Sequence, residues 1–313
     1  MMTRKEPLPM TVLAGFLGSG KTTLVNHLLR HANGRRVMVL VNDFGELPID
    51  QDLIAAEDGD VLTLANGCAC CSMGADLYKA FATALDFKPA PDHLLIEASG
   101  VAEPKRIANL ARAEPDLMLN GIVTMVDAAN FQTTLDDQRL SEIVEAQISG
   151  AHMLLLNKCD LVPPQDLENC EKILRGMNDN APIIHLTHGV LSGDIFFGEK
   201  MDVGRLPERT DTPHSHTHEA DFERWSIAME AEIDKAAIKE MLSHLPPPVL
   251  RVKGIFRATG EEGLWVAHKA GTHVDIFLLP EDSSFSGKTG FVAIGLKNPD
   301  FTNILNAAFH SIK

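Results

Sequence analysis

Between Thr11 and about residue 185, short β-branched apolar runs alternate with glycine-marked turns and amphipathic stretches of helical length. That alternation predicts a parallel α/β sheet with crossover helices. Strands are expected at Thr11–Ala14, Arg36–Val41, Val61–Leu64, His93–Ile96, Gly121–Val126, Met153–Leu156 and Pro182–His185. Helices are expected at Lys21–Arg30, Lys105–Arg112 and Ser141–Ile148. From Gly198 to Ala220 the apolar period stops, and Pro207, Pro213 and the alternating His214, His216 and His218 fill the stretch, which reads as an exposed linker. Beyond it the pattern turns to α+β. Strands are expected at Phe222–Met229, Val249–Ala258, Leu264–His268, Val274–Leu278 and Phe291–Gly295, with helices at Asp234–His244 and after Pro299. Three prolines, Pro246 to Pro248, end the first of these helices because they cannot donate its hydrogen bonds. The expected organisation is an α/β domain over residues 1–197, a linker over 198–220 and a smaller α+β domain over 221–313.

Composition narrows what these domains serve. A chain of 313 residues is long enough for two cores, and 45% hydrophobic with 23% charged residues excludes global disorder. With 28 basic against 43 acidic side chains, the formal charge of −15 repels phosphodiester backbones and anionic lipid, so neither nucleic acid nor a membrane is an expected partner. No apolar run approaches the ~20 residues that span a bilayer, and the first residues carry no apolar leader, so the expected location is cytoplasmic. Five cysteines are too few and too unevenly placed for a disulfide framework.

The turn after the first strand reads Gly15-Phe16-Leu17-Gly18-Ser19-Gly20-Lys21-Thr22, which fits the P-loop pattern G-x-x-x-x-G-K-[ST] at the strand-to-helix position where that loop works. Glycines there let backbone N–H groups curl around phosphates, Lys21 reaches the β/γ-phosphates and Thr22 offers a hydroxyl to Mg²⁺. The fold class expected is therefore a P-loop NTPase with a mostly parallel sheet. Asn157-Lys158-Cys159-Asp160 follows the sixth strand at the same sheet edge. A carboxylate at Asp160 can accept the ring N–H and exocyclic amine of guanine, and Lys158 can lay its stem across the ring, so GTP is favoured over ATP. The fourth strand delivers Glu97-Ala98-Ser99-Gly100 beside the phosphates: the acid holds the Mg²⁺ shell and Gly100 senses the γ-phosphate. Asp127 ends the next strand in the same way, with its membership of the site left open. Val101 stands where a water-orienting Gln would follow, which predicts slow intrinsic hydrolysis.

Asn66-Gly67-Cys68-Ala69-Cys70-Cys71 gathers three of the five cysteines within four positions. Thiolates at that density select Zn²⁺, Co²⁺ or Cu⁺ over Mg²⁺ or Ca²⁺, and three ligands leave a tetrahedral ion one open position through which it can be handed on. Three merely buried or reactive thiols are the plainer reading. The linker histidines can capture such ions loosely or be incidental. Cys159 and Cys170 read as packed thiols, and His268 and His273 as structural.

Together, GFLGSGKTT from Gly15, NDFGELPID from Asn42, NGCACC from Asn66, EASGVAEP from Glu97, NKCD from Asn157 and RVKGIFR from Arg251 resemble the CobW-like metallochaperone GTPases, relatives of the nickel-delivering GTPases of urease and hydrogenase maturation. The resemblance implies slow GTP hydrolysis to GDP, with Mg²⁺, coupled to delivery of Zn²⁺, or next Co²⁺, to a client metalloprotein; a homodimer is left open. It implies nucleotide contacts from Gly15, Gly18, Ser19, Gly20, Lys21, Thr22, Thr23, Asn157, Lys158 and Asp160. Catalytic duty would fall to Lys21, Thr22, Glu97 and Gly100, with Thr22 and Glu97 toward Mg²⁺. The transition metal would sit on Cys68, Cys70 and Cys71, and Glu46, in the switch I segment with Asp43, is a candidate fourth ligand. The sequence departs from many relatives in having Asp at 43 and Val at 41. Two other readings are a non-catalytic GTP-gated metal sensor or store, and a P-loop kinase.

Overall fold

The computed structural model describes residues 7–32, 34–42, 61–63, 73–100, 102–198, 222–280 and 289–312. Contacts divide the chain into two compact units, Met1–Gly193 and Asp194–Lys313.

The first unit runs β1 (Leu8–Gly15), α1 (Lys21–Arg30), β2 (Val37–Asn42), β3 (Val61–Thr63), α2 (Met73–Asp86), β4 (His93–Ala98), α3 (Pro104–Arg112), β5 (Leu117–Asp127), α4 (Phe131–Asp136), α5 (Ser141–Ser149), β6 (Met153–Asn157), a 3₁₀ turn Cys159–Leu161, α6 (Pro164–Met177) and β7 (Ile183–His185). A last short helix, α7 (Gly193–Phe197), crosses the division between the units. The seven strands form one parallel sheet in the order β3-β2-β4-β1-β5-β6-β7. Helices on both faces explain the composition of its central strands: all six residues of β4 and all five of β6 are buried. One apolar cluster lies under α2 and α3 and another around α5 and α6.

Parallel pairing puts every strand's carboxyl end on one edge, which is where open α/β sheets bind ligands. Register decides which side chains meet there. Leu13 pairs with Glu97, Gly15 with Met125 and Asp127 with Asn157. At the opposite end a buried polar trio ties the same strands, with Thr11 Oγ1 2.8 Å from His93 Nε2 and accepting from Asn120 Nδ2 at 2.8 Å.

The second unit contains β8 (Phe222–Ala228), β9 (Glu232–Ile233), α8 (Lys235–Ser243), β10 (Val249–Ala258), β11 (Trp265–Ala270), β12 (His273–Leu278), β13 (Gly290–Leu296) and α9 (Phe301–His310). Its sheet is antiparallel in the order β12-β11-β10-β13-β8, with β9 adding a short parallel pairing to β10. Ile238 and Leu242 of α8 and Phe301, Leu305 and Phe309 of α9 close one apolar core with Trp225, Phe256 and Phe291. Asp234 caps α8, its Oδ1 accepting from Ala237 N at 2.9 Å. Gly254 lets Phe291 lie against β10, since a Cβ there would fall 2.0 Å from the ring.

Several boundaries differ from the sequence pattern for visible reasons. β5 starts at Leu117 rather than Gly121, because the buried polar Asn120 and a glycine at φ +146 interrupt an apolar run that is structurally continuous. The division falls ahead of the expected boundary at 197: Arg251 of β10 donates to the carbonyls of Ile195 and Phe196, and Arg224 pairs with Asp194 at 3.0 Å. Most of the expected linker, including His214, His216 and His218, lies outside the described residues.

Candidate nucleotide site

The turn between β1 and α1 is shaped by close approaches that exclude side chains. A Cβ on Gly15, at φ +141, would lie 2.3 Å from the Met125 carbonyl oxygen. One on Gly20, at φ +102, would lie 2.5 Å from Asn157 Nδ2. Only glycine tolerates these conformations cheaply, and Gly20 delivers the chain directly into the first turn of α1. Lys21, 8% exposed, folds back so that its Nζ donates to the carbonyls of Gly15 at 2.8 Å and Phe16 at 3.2 Å. The ammonium thus lies within the curl of the loop, at the positive end of a ten-residue helix.

Beside it, Thr22 Oγ1 donates to Oε1 of the buried Glu97 at 3.1 Å. A hydroxyl next to a carboxylate at a phosphate-binding loop is a hard-oxygen pair, the donor set that Mg²⁺ takes in phosphoryl chemistry. Gly100 follows at the end of β4, and a Cβ there would meet Leu17 Cδ2 at 2.6 Å and Leu17 N at 2.9 Å. Leu17 itself is 66% exposed at the loop's tip.

The Asn157 segment reaches the same loop from β6. Asn157 is buried; its Nδ2 donates to Ser19 O at 2.9 Å, and its Oδ1 accepts from Gly189 N at 3.0 Å. Lys158 adopts φ +63 and its ammonium pairs with Asp127 Oδ2 at 2.7 Å. Asp127 also accepts from Ala129 N at 3.0 Å and Asn130 Nδ2 at 2.9 Å, so this acid is built into the edge beside Lys158. Asp160 is exposed on the 3₁₀ turn, and Thr23 is exposed one residue beyond Thr22. A cavity of about 260 Å³ flanks the loop, lined by Phe16, Leu17, Gly18, Asp127, Gln147 and Lys158 among others; Lys21, Thr22 and Glu97 are not part of its wall.

Of the expected site residues, the structure brings Gly15, Gly18, Ser19, Gly20, Lys21, Thr22, Glu97, Gly100, Asn157 and Lys158 to one edge. Glu46, Cys68, Cys70 and Cys71, with Asp43, lie outside the described residues. Among the described residues no group of three or more His, Cys, Asp or Glu could hold a metal ion. Burial pushes the thiols of Cys159 and Cys170 up, which keeps them protonated, and they donate to the carbonyls of Leu156 and Ala128. Sequence patterns passed over Gln147, Gly189 and Leu17, none of which stands out in the chain as a charged or metal-binding group.

Residues 9–185 match the CobW/HypB/UreG nucleotide-binding domain. The chain belongs to this family. Residues 222–312 match the C-terminal domain of the cobalamin synthesis protein cobW, so the CobW resemblance extends through the second unit. Among CobW relatives, a zinc chaperone CobW from Sinorhizobium sp is 27% identical over 307 residues, 86% of each chain. The zinc chaperone YjiA of Escherichia coli is 28% identical over 273 residues, covering 82% of this chain and 84% of that one. A zinc-regulated GTPase metalloprotein activator 1 from Schizosaccharomyces pombe is 36% identical over 196 residues, 59% of this chain and 47% of its own. No helix among the described residues of this CobW-family chain is long and apolar enough to cross a membrane.

Proposed function

We propose that this chain is a GTP-hydrolysing metallochaperone that carries a transition metal, zinc first and cobalt next, to a client metalloprotein. The observation that carries the nucleotide half is the contact of Thr22 with Glu97 beside the inward-curled Lys21. A glycine-rich turn without a phosphate ligand has no use for a buried ammonium and a hydroxyl–carboxylate pair side by side. The delivery half is supported by the Cys68, Cys70 and Cys71 cluster and by relatives that are zinc chaperones across both units.

In this reading Lys21 neutralises the β/γ-phosphate charge, and the glycine-rich backbone orients it. Bound Mg²⁺ would supply Lewis-acid stabilisation of the phosphoryl oxygens, held toward Thr22 and Glu97. Gly100 places its N–H toward the γ-phosphate. Asn157 fixes the loop, while Asp160 reads the guanine edge. In this reading nucleotide and metal belong to the first domain, expected through residue 197, and client recognition to the second, from residue 221. A cytoplasmic setting belongs to the same reading, since thiolate ligands need a reducing compartment.

Cys68, Cys70 and Cys71 follow the switch I segment, which carries Glu46 as candidate fourth ligand, so metal affinity should depend on nucleotide and GTP affinity on metal by the same factor. Zinc titrations in the presence of a GTP analogue and of GDP test this coupling, and equal affinities would end it. Cys70→Ala should abolish metal stimulation of turnover while leaving GTP binding intact. Absence of repeated turnovers under saturating metal and client would instead mark a GTP-gated store.

A further inference from the structure

Gln147 sits in the last turn of α5, 2% exposed, where a side-chain amide is costly unless its protons are placed. Both its donor contacts lie on one short stretch of chain. Nε2 donates to Gly100 O at 3.1 Å and to Ala102 O at 3.0 Å, gripping the carbonyls on either side of position 101. The residue is itself held: its backbone carbonyl accepts from the buried Thr124 Oγ1 of β5 at 3.0 Å. The same carboxyl-terminal end of α5 is tied again by Asn178, whose Nδ2 donates to Ile148 O at 2.8 Å and Ala151 O at 3.0 Å. The chain leaving β4 is therefore fastened to the rigid β5–α5 layer on one side and packed against Leu17 of the phosphate loop on the other.

We infer that Gln147 is a positioning residue for GTP turnover: its amide holds the Gly100 and Ala102 carbonyls, so that the Gly100 N–H keeps one direction toward the γ-phosphate. The inference rests on the reading of Gly100 as the γ-phosphate sensor. The Gly100 N–H shares its peptide plane with the Ser99 carbonyl, which accepts from Ala102 N at 2.9 Å, so holding the Gly100 and Ala102 carbonyls steadies that turn and the N–H with it, and only the triphosphate state needs that direction defined. GDP makes no such demand. Loss of the clamp therefore weakens the GTP state selectively.

The test uses the full chain, with Gln147→Met, which keeps the shape and removes the donor, and Gln147→Glu, which replaces the donor with an acceptor. Thr124→Val loosens only the anchor of Gln147 and serves where the direct variants do not fold. Two neutral hydrogen bonds are at stake, so kcat for GTP and the preference for a GTP analogue over GDP should each fall roughly ten-fold, with GDP affinity held within about two-fold. Thr124→Val should move the same two quantities by a smaller factor. Gly100→Ala is the control for the underlying reading, because its Cβ collides with Leu17. If Gly100→Ala retains the GTP preference, the sensor reading fails. If Gly100→Ala loses it while the Gln147 variants keep it, or if GTP and GDP affinities fall together in those variants, Gln147 is only a core amide and the inference is overturned.

Discussion

Asn157→Ala should uncouple the phosphate loop from the two segments that brace it. The side chain satisfies the Ser19 carbonyl at 2.9 Å and the Gly189 amide at 3.0 Å, and both groups lose a buried partner when it is truncated. A buried polar group left unpaired costs about 1–3 kcal/mol, so the two together put roughly 2–6 kcal/mol of local stability at risk, with the lower end applying where water enters the space. The share expressed in ligand affinity is that of the loop carbonyl, which predicts nucleotide binding weakened by about 5- to 150-fold. A double-mutant cycle sharpens the test. Gly20→Ala alone suffers both its backbone strain at φ +102 and the approach of its Cβ to Asn157 Nδ2 at 2.5 Å. In the Asn157→Ala background only the strain of about 1–2 kcal/mol remains. Equilibrium binding of a fluorescent GDP analogue to the four proteins should therefore show the double variant to be clearly better than the sum of the singles. Additivity within about 0.5 kcal/mol, or an Asn157→Ala protein that binds within two-fold of the parent, would refute the bracing role.

Thr22→Val, which keeps the shape and removes the hydroxyl facing Glu97, should leave Mg²⁺-free nucleotide binding within a few-fold and lower Mg²⁺-dependent hydrolysis by at least about ten-fold, read by phosphate release. Lys269 is buried on β11, donates to the Gly271 carbonyl, and burial pulls its pKa down to about 8 from 10.5. Because the unfolded chain then binds the extra proton between those values, stability of the second unit should rise from pH 8 to pH 10.5 by roughly 3 kcal/mol and be flat below pH 8. Lys269→Met should abolish that rise and stabilise the unit at pH 7. Both tryptophans, Trp225 and Trp265, belong to this unit, so urea titrations followed by their fluorescence report it alone; a pH-independent midpoint in the parent would contradict the assignment. Gly254→Ala should cost about 1–3 kcal/mol in the same assay, since Phe291 must leave its place on β10.

What could be read in the chain, and what could not, divides along physical lines. The span of α1 is legible because glycine and lysine mark its start and the apolar positions Leu24, Val25 and Leu28 repeat at helical spacing. Glu97 and Asn157 are legible because each ends an apolar run, and the end of a parallel strand is a position with chemical meaning. α2 and α6 carry the same period in Leu77, Phe81 and Ala84, and in Leu167, Cys170 and Leu174, but alanines and a cysteine blur the stripe. β9 has only two residues and no period to show. Gln147 and Gly189 were hidden for another reason. Each reaches the phosphate loop or its neighbour through register and helix placement, and nothing in a glutamine within an amphipathic stretch tells which carbonyls it will face.

The position of β1 at the middle of its sheet has a consequence for birth of the protein on the ribosome. The strand that carries the phosphate loop is translated ahead of the other strands of its sheet, yet its lateral partners β4 and β5 arrive much later, and the brace from Asn157 closes only on Gly189, near the end of the first unit. A nascent chain therefore emerges with its glycine-rich turn unsupported and gains a working cradle almost at the moment that unit is finished. Nucleotide capture thus becomes a late event in biosynthesis, and fragments truncated before Gly189 should have little grip on it.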